Sequence, residues 1–117
     1  MAKVTVLLVT YNHEKYITRA LAGIRAQKFN QGIDILVADD ASKDQTVEII
    51  KKWAAENTEY TVTFLPNCEN LGITKNYQRA IAALKNQYVA ILEGDDYWIS
   101  PRKISLQIDF LDEHLEC

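Results

Sequence analysis

Three carboxylates fall within four residues at Glu93-Gly94-Asp95-Asp96, directly after an apolar run. Crowded carboxylates repel one another and are costly to hold unless water or a cation compensates them. Mg²⁺ takes oxygen ligands, commonly one or two carboxylates completed by substrate phosphates. Gly94 lets the backbone turn, or lets a ligand approach closely. A solvated acidic turn, with Asp96 as an exposed loop residue, accounts for the same four residues. A second acidic pair, Asp39-Asp40, closes another apolar run. An ionised carboxylate only accepts hydrogen bonds. The pair therefore suits the imide N–H of a uracil or the hydroxyls of a ribose, and it equally suits a turn or a helix cap.

Thr10-Tyr11-Asn12 ends a third such run. Tyr11 offers a flat apolar face for a base and a polar tip; a plain strand-to-helix turn with Asn12 as N-cap is the simpler account. Asn70-Leu71-Gly72 is a turn signal, with Gly72 suited to a positive φ. Lys75 has the reach to meet a phosphate, or it is a solvated lysine on a helical turn. Tyr97 and Trp98 follow the acidic cluster and either line a sugar site or cover core.

The elements that carry these residues alternate in type. Val4–Thr10, Ile33–Ala38, Thr61–Leu65 (stopped by Pro66) and Tyr88–Leu92 read as strands. Between them, Glu14–Gln27 carries Ile17, Ala20, Leu21 and Ile24 at helical spacing. Ser42 to Gln45 fits a capping box ahead of a helix with Val47, Ile50 and Ala54 on one side, ending near Glu56-Asn57. Thr74–Lys85 places Tyr77, Ile81 and Leu84 in register. Ser100-Pro101 opens a fourth helix through Ile104, Ile108 and Leu111 as N-cap and N1. Strand and helix in alternation predict an α/β fold: a Rossmann-like parallel sheet of about four strands flanked by helices. The nearly continuous apolar strands predict helices on both faces. In such folds ligands bind outside the carboxyl ends of the strands, which is where the polar and acidic residues above converge.

Composition narrows the function classes. The chain has 117 residues, 48% apolar and 25% charged, with a net charge of −3. That is one soluble domain able to bury about two-thirds of its unfolded surface. The sequence pI of about 5.3 argues against a nucleic-acid binder, which needs a basic face. The two cysteines, Cys68 and Cys117, have neither a disulfide framework nor a zinc-ligand spacing, and a cytoplasmic setting is expected. The apolar stretch Val4 to Val9 is too short for a signal-peptide core or a membrane span. No stop signal follows Asp112-Glu113-His114-Leu115-Glu116-Cys117, so residues 1–117 are expected to be part of a larger domain.

Taken together, Val9-Thr10-Tyr11-Asn12, Leu36 to Thr46 with Asp39-Asp40-Ala41-Ser42, Asn70-Leu71-Gly72 with Asn76, and Leu92 to Trp98 resemble family 2 glycosyltransferases of the GT-A fold. The resemblance covers essentially the whole chain, in the family's order and spacing. It implies an inverting transfer of a sugar from a nucleotide-diphosphate donor, often a UDP-sugar, to a hydroxyl of a saccharide or lipid-linked acceptor. A role in cell-surface polysaccharide synthesis goes with it. By position, Tyr11 and Asp40 would contact the base, with Thr10 and Asp39 beside them. Asp95 would hold the ribose or the metal, and Asp96 the divalent metal. Glu93-Gly94-Asp95 stands where the family has its D-x-D motif, with Glu in place of the first Asp; Val9 stands where many relatives have proline. Mn²⁺ or Mg²⁺ bridging carboxylates and phosphate oxygens would let an anionic donor enter an acidic site. The general base is expected beyond Cys117, since Asp109, Asp112 and Glu113 read as the solvated face of a helix. Other readings fit less of the chain. A non-catalytic nucleotide-binding module would use the same residues. A receiver-type signalling domain needs an acidic pair after the first strand, and a nucleotidyltransferase needs a glycine-rich basic loop there; Tyr11-Asn12-His13-Glu14 is neither.

Overall fold

The computed structural model describes residues 4–29, 31–66, 69–84, 88–98 and 101–113. The alternation of apolar runs is realised as β1 (Val4–Thr10), α1 (Ile17–Arg25), β2 (Ile33–Asp39), α2 (Thr46–Glu56), β3 (Thr61–Phe64), α3 (Ile73–Ala82), β4 (Tyr88–Glu93) and α4 (Lys103–Glu113). All strand pairs are parallel, in the order β3-β2-β1-β4. Leu7 of β1 is in register with Leu36 of β2 on one side and Ile91 of β4 on the other. The chain thus builds outward from β1 to β3, then returns to place β4 on the opposite side of β1. This reversal of strand order opens a crevice at the carboxyl ends of β1 and β4, the place where open α/β sheets bind ligands.

Two core layers hold the sheet. Val4, Val6 and Leu8 of β1, with Ile33, Ile35 and Val37 of β2 and Leu92 of β4, meet α1, Ile50 of α2, and Ile104 and Ile108 of α4. On the other face, Leu7, Val9, Leu36 and Ala38 pack against Ala80 of α3, with Tyr77 and Leu84 half-buried beside them. β1 is buried along its whole length. Each fully buried Leu or Ile contributes roughly 1.5–3 kcal/mol relative to exposure.

Several expectations need correction. Helical cover on both faces holds for β1 and β2 only. α3 packs against β2, and one helix does not reach across the sheet, so Val89 and Ile91 of β4 stay exposed. Ile81 is 57% exposed rather than a core residue, because the buried stripe of α3 runs through Asn76 and Ala80. Leu111 is likewise exposed. α1 starts at Ile17 rather than Glu14, after a turn in which the His13 carbonyl accepts from the Tyr16 and Ile17 amides at 2.9 Å each. Pro101 and Arg102 form a turn before α4, whose Ile104 amide donates to Gln27 Oε1 at 3.0 Å. Met1 to Lys3, Asn67, Cys68, Lys85, Ser100, the side chains of Asp112 and Glu113, and His114 to Cys117 lie outside the described residues.

Candidate functional site

The two loops after β1 and β2 are laced together by side-chain-to-backbone hydrogen bonds. The Asn12 amide donates to Ser42 Oγ (2.8 Å), and the Lys43 amide to Asn12 Oδ1 (2.8 Å). The His13 amide donates to Thr46 Oγ1 (2.9 Å). The Glu14 amide donates to Asp44 Oδ2, and the Gln45 amide to Glu14 Oε2, both at 3.2 Å. Asn12 is therefore not an N-cap of α1; it sits at φ 54°, a conformation asparagine tolerates. The expected capping box is also replaced. Ser42 is drawn back to β2, and Asp44 Oδ1 accepts from the Thr46 amide at 3.0 Å at the start of α2. Burial acts to raise the Asp44 pKa, but hydrogen bonds from Thr46 and Glu14 outweigh it and hold the carboxyl below its ordinary value. This lacing fixes residues 11–14, which present Tyr11 and His13 to the crevice.

The adjacent aspartates do different work. Asp39 is buried and accepts from Thr10 Oγ1 (2.6 Å), the Ser42 amide (2.8 Å) and Ser42 Oγ (2.5 Å). It ties the ends of β1 and β2 together behind the site. Asp40 faces the crevice, where its Oδ1 accepts from the Leu71 amide (2.6 Å) and its Oδ2 from the Gly72 amide (3.0 Å). The turn before α3 is thereby drawn against the end of β2, with Gly72 at φ 88° as its sequence context predicts. Asn76 is spent on structure. Its Nδ2 donates to the Ala38 carbonyl (2.9 Å), and its Oδ1 accepts from Arg79 Nε (2.8 Å). Arg79 also donates to the Asp39 carbonyl at 2.8 Å and to that of Pro66. Nothing in the spacing singles out Arg79, since a lone arginine on a helix is ordinary.

These elements enclose a cleft of about 400 Å³. Thr10, Tyr11 and His13 line one side, Asp40 and Gly72 another, and Glu93 and Asp95 the end of β4. Tyr11 is 42% exposed and so keeps a ring face for a ligand. Tyr77 Oη donates to Glu93 Oε1 at 3.0 Å. Burial first, and that hydrogen bond second, push the Tyr77 phenol above its ordinary pKa. The structure therefore brings together Thr10, Tyr11, Asp40, Asn76, Glu93 and Asp95. It does not bring Lys75, Asp96 or Trp98 to the cleft wall. Lys75 is exposed on α3. Asp96 follows the β4 turn, its Oδ1 accepting from the Tyr97 amide at 2.8 Å. Trp98 packs on the larger core layer, with Lys103 Nζ 5.5 Å from its ring. Tyr97 lies under the Arg19 guanidinium, 4.1 Å away. Sequence reading passed over three lining residues, His13, Ile73 and Tyr77; for His13 the signal was a cation-capable side chain directly after Tyr-Asn at a strand end. A second depression, about 470 Å³, is lined by Lys28, Phe29, Gln31, Ser105 and Asp109. It lies near the amino end of β2 and carries one carboxylate.

Comparison with known proteins identifies the family. The profile described as "Glycosyl transferase family 2" matches residues 5–116. The chain belongs to this family. It is 39% identical over 114 residues to an uncharacterised protein of Mycobacterium tuberculosis, covering 96% of this chain and 32% of that protein. Among solved structures, Staphylococcus aureus TarS in complex with UDP-GlcNAc superposes with a TM-score of 0.81 at 32% identity, over 97% of this chain and 32% of that one. TarS is a poly(ribitol-phosphate) β-N-acetylglucosaminyltransferase. A Pyrobaculum calidifontis mannosyltransferase, solved with GDP-mannose and Mn²⁺, shares the fold, with a TM-score of 0.85 at 24% identity over 93% of this chain and 32% of that one. The chain thus spans about a third of the length of the relatives it matches. The parallel sheet flanked by helices is that of the GT-A glycosyltransferases.

The family implies a divalent cation, and the donor set present has the right chemistry for one. Among the described residues no three His, Cys, Asp or Glu groups form a ready-made cage, and no buried side-chain nitrogen or oxygen lacks a partner. Asp95 and Asp96 are exposed carboxylates at the end of β4. One or two carboxylates completed by substrate oxygens is how Mg²⁺ and similar hard cations are commonly held. Among the described helices none is long and apolar enough to cross a membrane.

Proposed function

We propose that this chain is the donor-binding part of an inverting, metal-dependent glycosyltransferase that moves a sugar from a nucleotide diphosphate, with UDP the favoured nucleotide, to a hydroxyl acceptor. The observation that carries the reading is the cleft at the strand-order reversal. It collects a half-exposed aromatic face from Tyr11, an acceptor carboxylate from Asp40, and the exposed Asp95. TarS, 32% identical across nearly the whole chain, was solved with UDP-GlcNAc.

Each residue has a task that its geometry suits. The Tyr11 ring offers a stacking face for the base. Asp40 already accepts two amide hydrogen bonds, but each carboxylate oxygen has two lone pairs. It can therefore accept a further bond from a base N–H while the turn at 71–72 keeps it in place. Glu93, longer than the family's aspartate, is steered by Tyr77 Oη and forms the wall between α3 and β4. Asp95, on the cleft, and Asp96, beside it, would hold the cation. Such an ion supplies Lewis-acid stabilisation of charge on the departing nucleotide diphosphate.

Calorimetric titration of UDP into the chain with Mn²⁺, and again with EDTA, tests the proposal. Binding that needs the metal and is weakened at least 10-fold by Asp95→Asn is the expected outcome. No binding of UDP or GDP to the folded chain, with or without metal, would overturn it.

A further inference from the structure

His13 is the sole side chain capable of positive charge among the described residues lining the cleft, and it is held from several directions. Its amide donates to Thr46 Oγ1 (2.9 Å). Its carbonyl accepts the Tyr16 and Ile17 amides (2.9 Å each). Its Nδ1 accepts from the Tyr11 amide at 3.4 Å. A Cβ placed on Gly94 would lie 2.7 Å from Nδ1 and 2.8 Å from Thr10 Cγ2. The imidazole therefore occupies space that any side chain at position 94 would take.

The Tyr11 amide favours one tautomer. With Nδ1 as acceptor, the neutral ring carries its proton on Nε2. Nε2 lies 4.0 Å from Asp95 Oδ2, beyond hydrogen-bond distance. The Asp95 side chain is 50% exposed, so a turn about its own torsions closes the gap. The other two carboxylates of the cleft have donors already: Tyr77 Oη for Glu93, and the Leu71 and Gly72 amides for Asp40. For Asp95 the donor at hand among the described residues is His13.

We propose that His13 is a positioning residue for Asp95: its Nε2–H turns the carboxylate toward the cleft, and Gly94 is glycine so that the ring can reach it. Resting on the donor-site reading, this makes His13 an outer partner of a cation-binding carboxylate, a role that fixes ligand orientation in metal sites.

A ligand-free measurement decides the contact. At pH 8.5, above the ordinary imidazole range, long-range ¹H–¹⁵N correlation reads the tautomer. The Nε2–H form is expected, with an Nε2 resonance that shifts in Asp95→Asn and stays put in Glu93→Gln. An Nδ1–H ring, as a direct metal ligand through Nε2 would need, or an Nε2 blind to Asp95→Asn, overturns the proposal. The role is read by UDP titration with Mn²⁺. His13→Ala should weaken binding about 10-fold, and His13→Gln, which keeps an N–H near the Nε2 position, should recover most of it. In the Asp95→Asn background His13→Ala should cost nothing further; additive losses would mean a merely structural histidine. If the wild-type chain binds no UDP, the donor-site reading falls, while the tautomer and its response to Asp95 still decide the contact.

Discussion

Asp39 and Asp40 are neighbours of the same type with opposite fates. Asp39 turns into the junction of β1 and β2 and accepts from three donors, whereas Asp40 turns to the cleft and the loop before α3. The sequence marks both as acidic residues at a strand end. Both are buried; which one faces the cleft depends on how the chain leaves β2, where Ala41 sits at φ 60°, a conformation no spacing rule reveals. Two predictions follow at this scale. Asp39→Ala strands the buried Thr10 hydroxyl and the partly buried Ser42 donors and should cost about 1–3 kcal/mol in urea denaturation. Ala41→Gly relieves a left-handed alanine and should raise stability by about 1 kcal/mol; an unchanged urea midpoint would mean that the strain is not there. His13 escaped notice for a related reason. Its importance comes from Gly94, 81 positions along the chain and brought beside it only by the β1–β4 pairing.

At the scale of elements, the order of strands and helices was readable because each apolar run has a clear period and a polar stop. Starts of helices were less readable, because several side chains that could cap serve the neighbouring loop instead. Ser42 is engaged by Asp39 and Asn12, which leaves Asp44 to satisfy the start of α2. Asp44→Ala should therefore destabilise the chain by about 1 kcal/mol at neutral pH. The sign of its pH dependence is fixed by the lowered carboxyl pKa of the folded state. The stabilising contribution is present above the ordinary value of 3.8 and is lost as pH falls through the lower folded value. Wild type and variant should converge in stability on acidification below that range; a gap that persists there would show that Asp44 acts through something other than its charge.

Over the whole molecule, the parallel sheet and the convergence of polar strand ends were legible, but the strand order was not. Sequence alternation alone does not say on which side of β1 the fourth strand lands, and only that placement creates the cleft. It also leaves one face of β4 bare. Leu92, on the covered face, is 2% exposed, and Ile91, next to it, is 51% exposed. Leu92→Ala should cost about 2–5 kcal/mol, and Ile91→Ala no more than about 0.5 kcal/mol. Equal costs in chemical denaturation would mean that the β4 face is covered after all. On the proposed reading, the net charge of −3 is compatible with an anionic ligand, because Asp40 serves as a hydrogen-bond acceptor and Asp95 would hold a cation in a cleft that Tyr11 and His13 also line.

The location of the nucleotide site is the claim on which the rest stands, and amide chemical-shift mapping with UDP and Mg²⁺ tests it most directly. The largest shifts are predicted at residues 10–13, 40, 70–73 and 93–95, around the crevice between β1 and β4. Shifts confined to the depression near Lys28, Phe29 and Asp109, or no shifts at saturating nucleotide, would contradict the account.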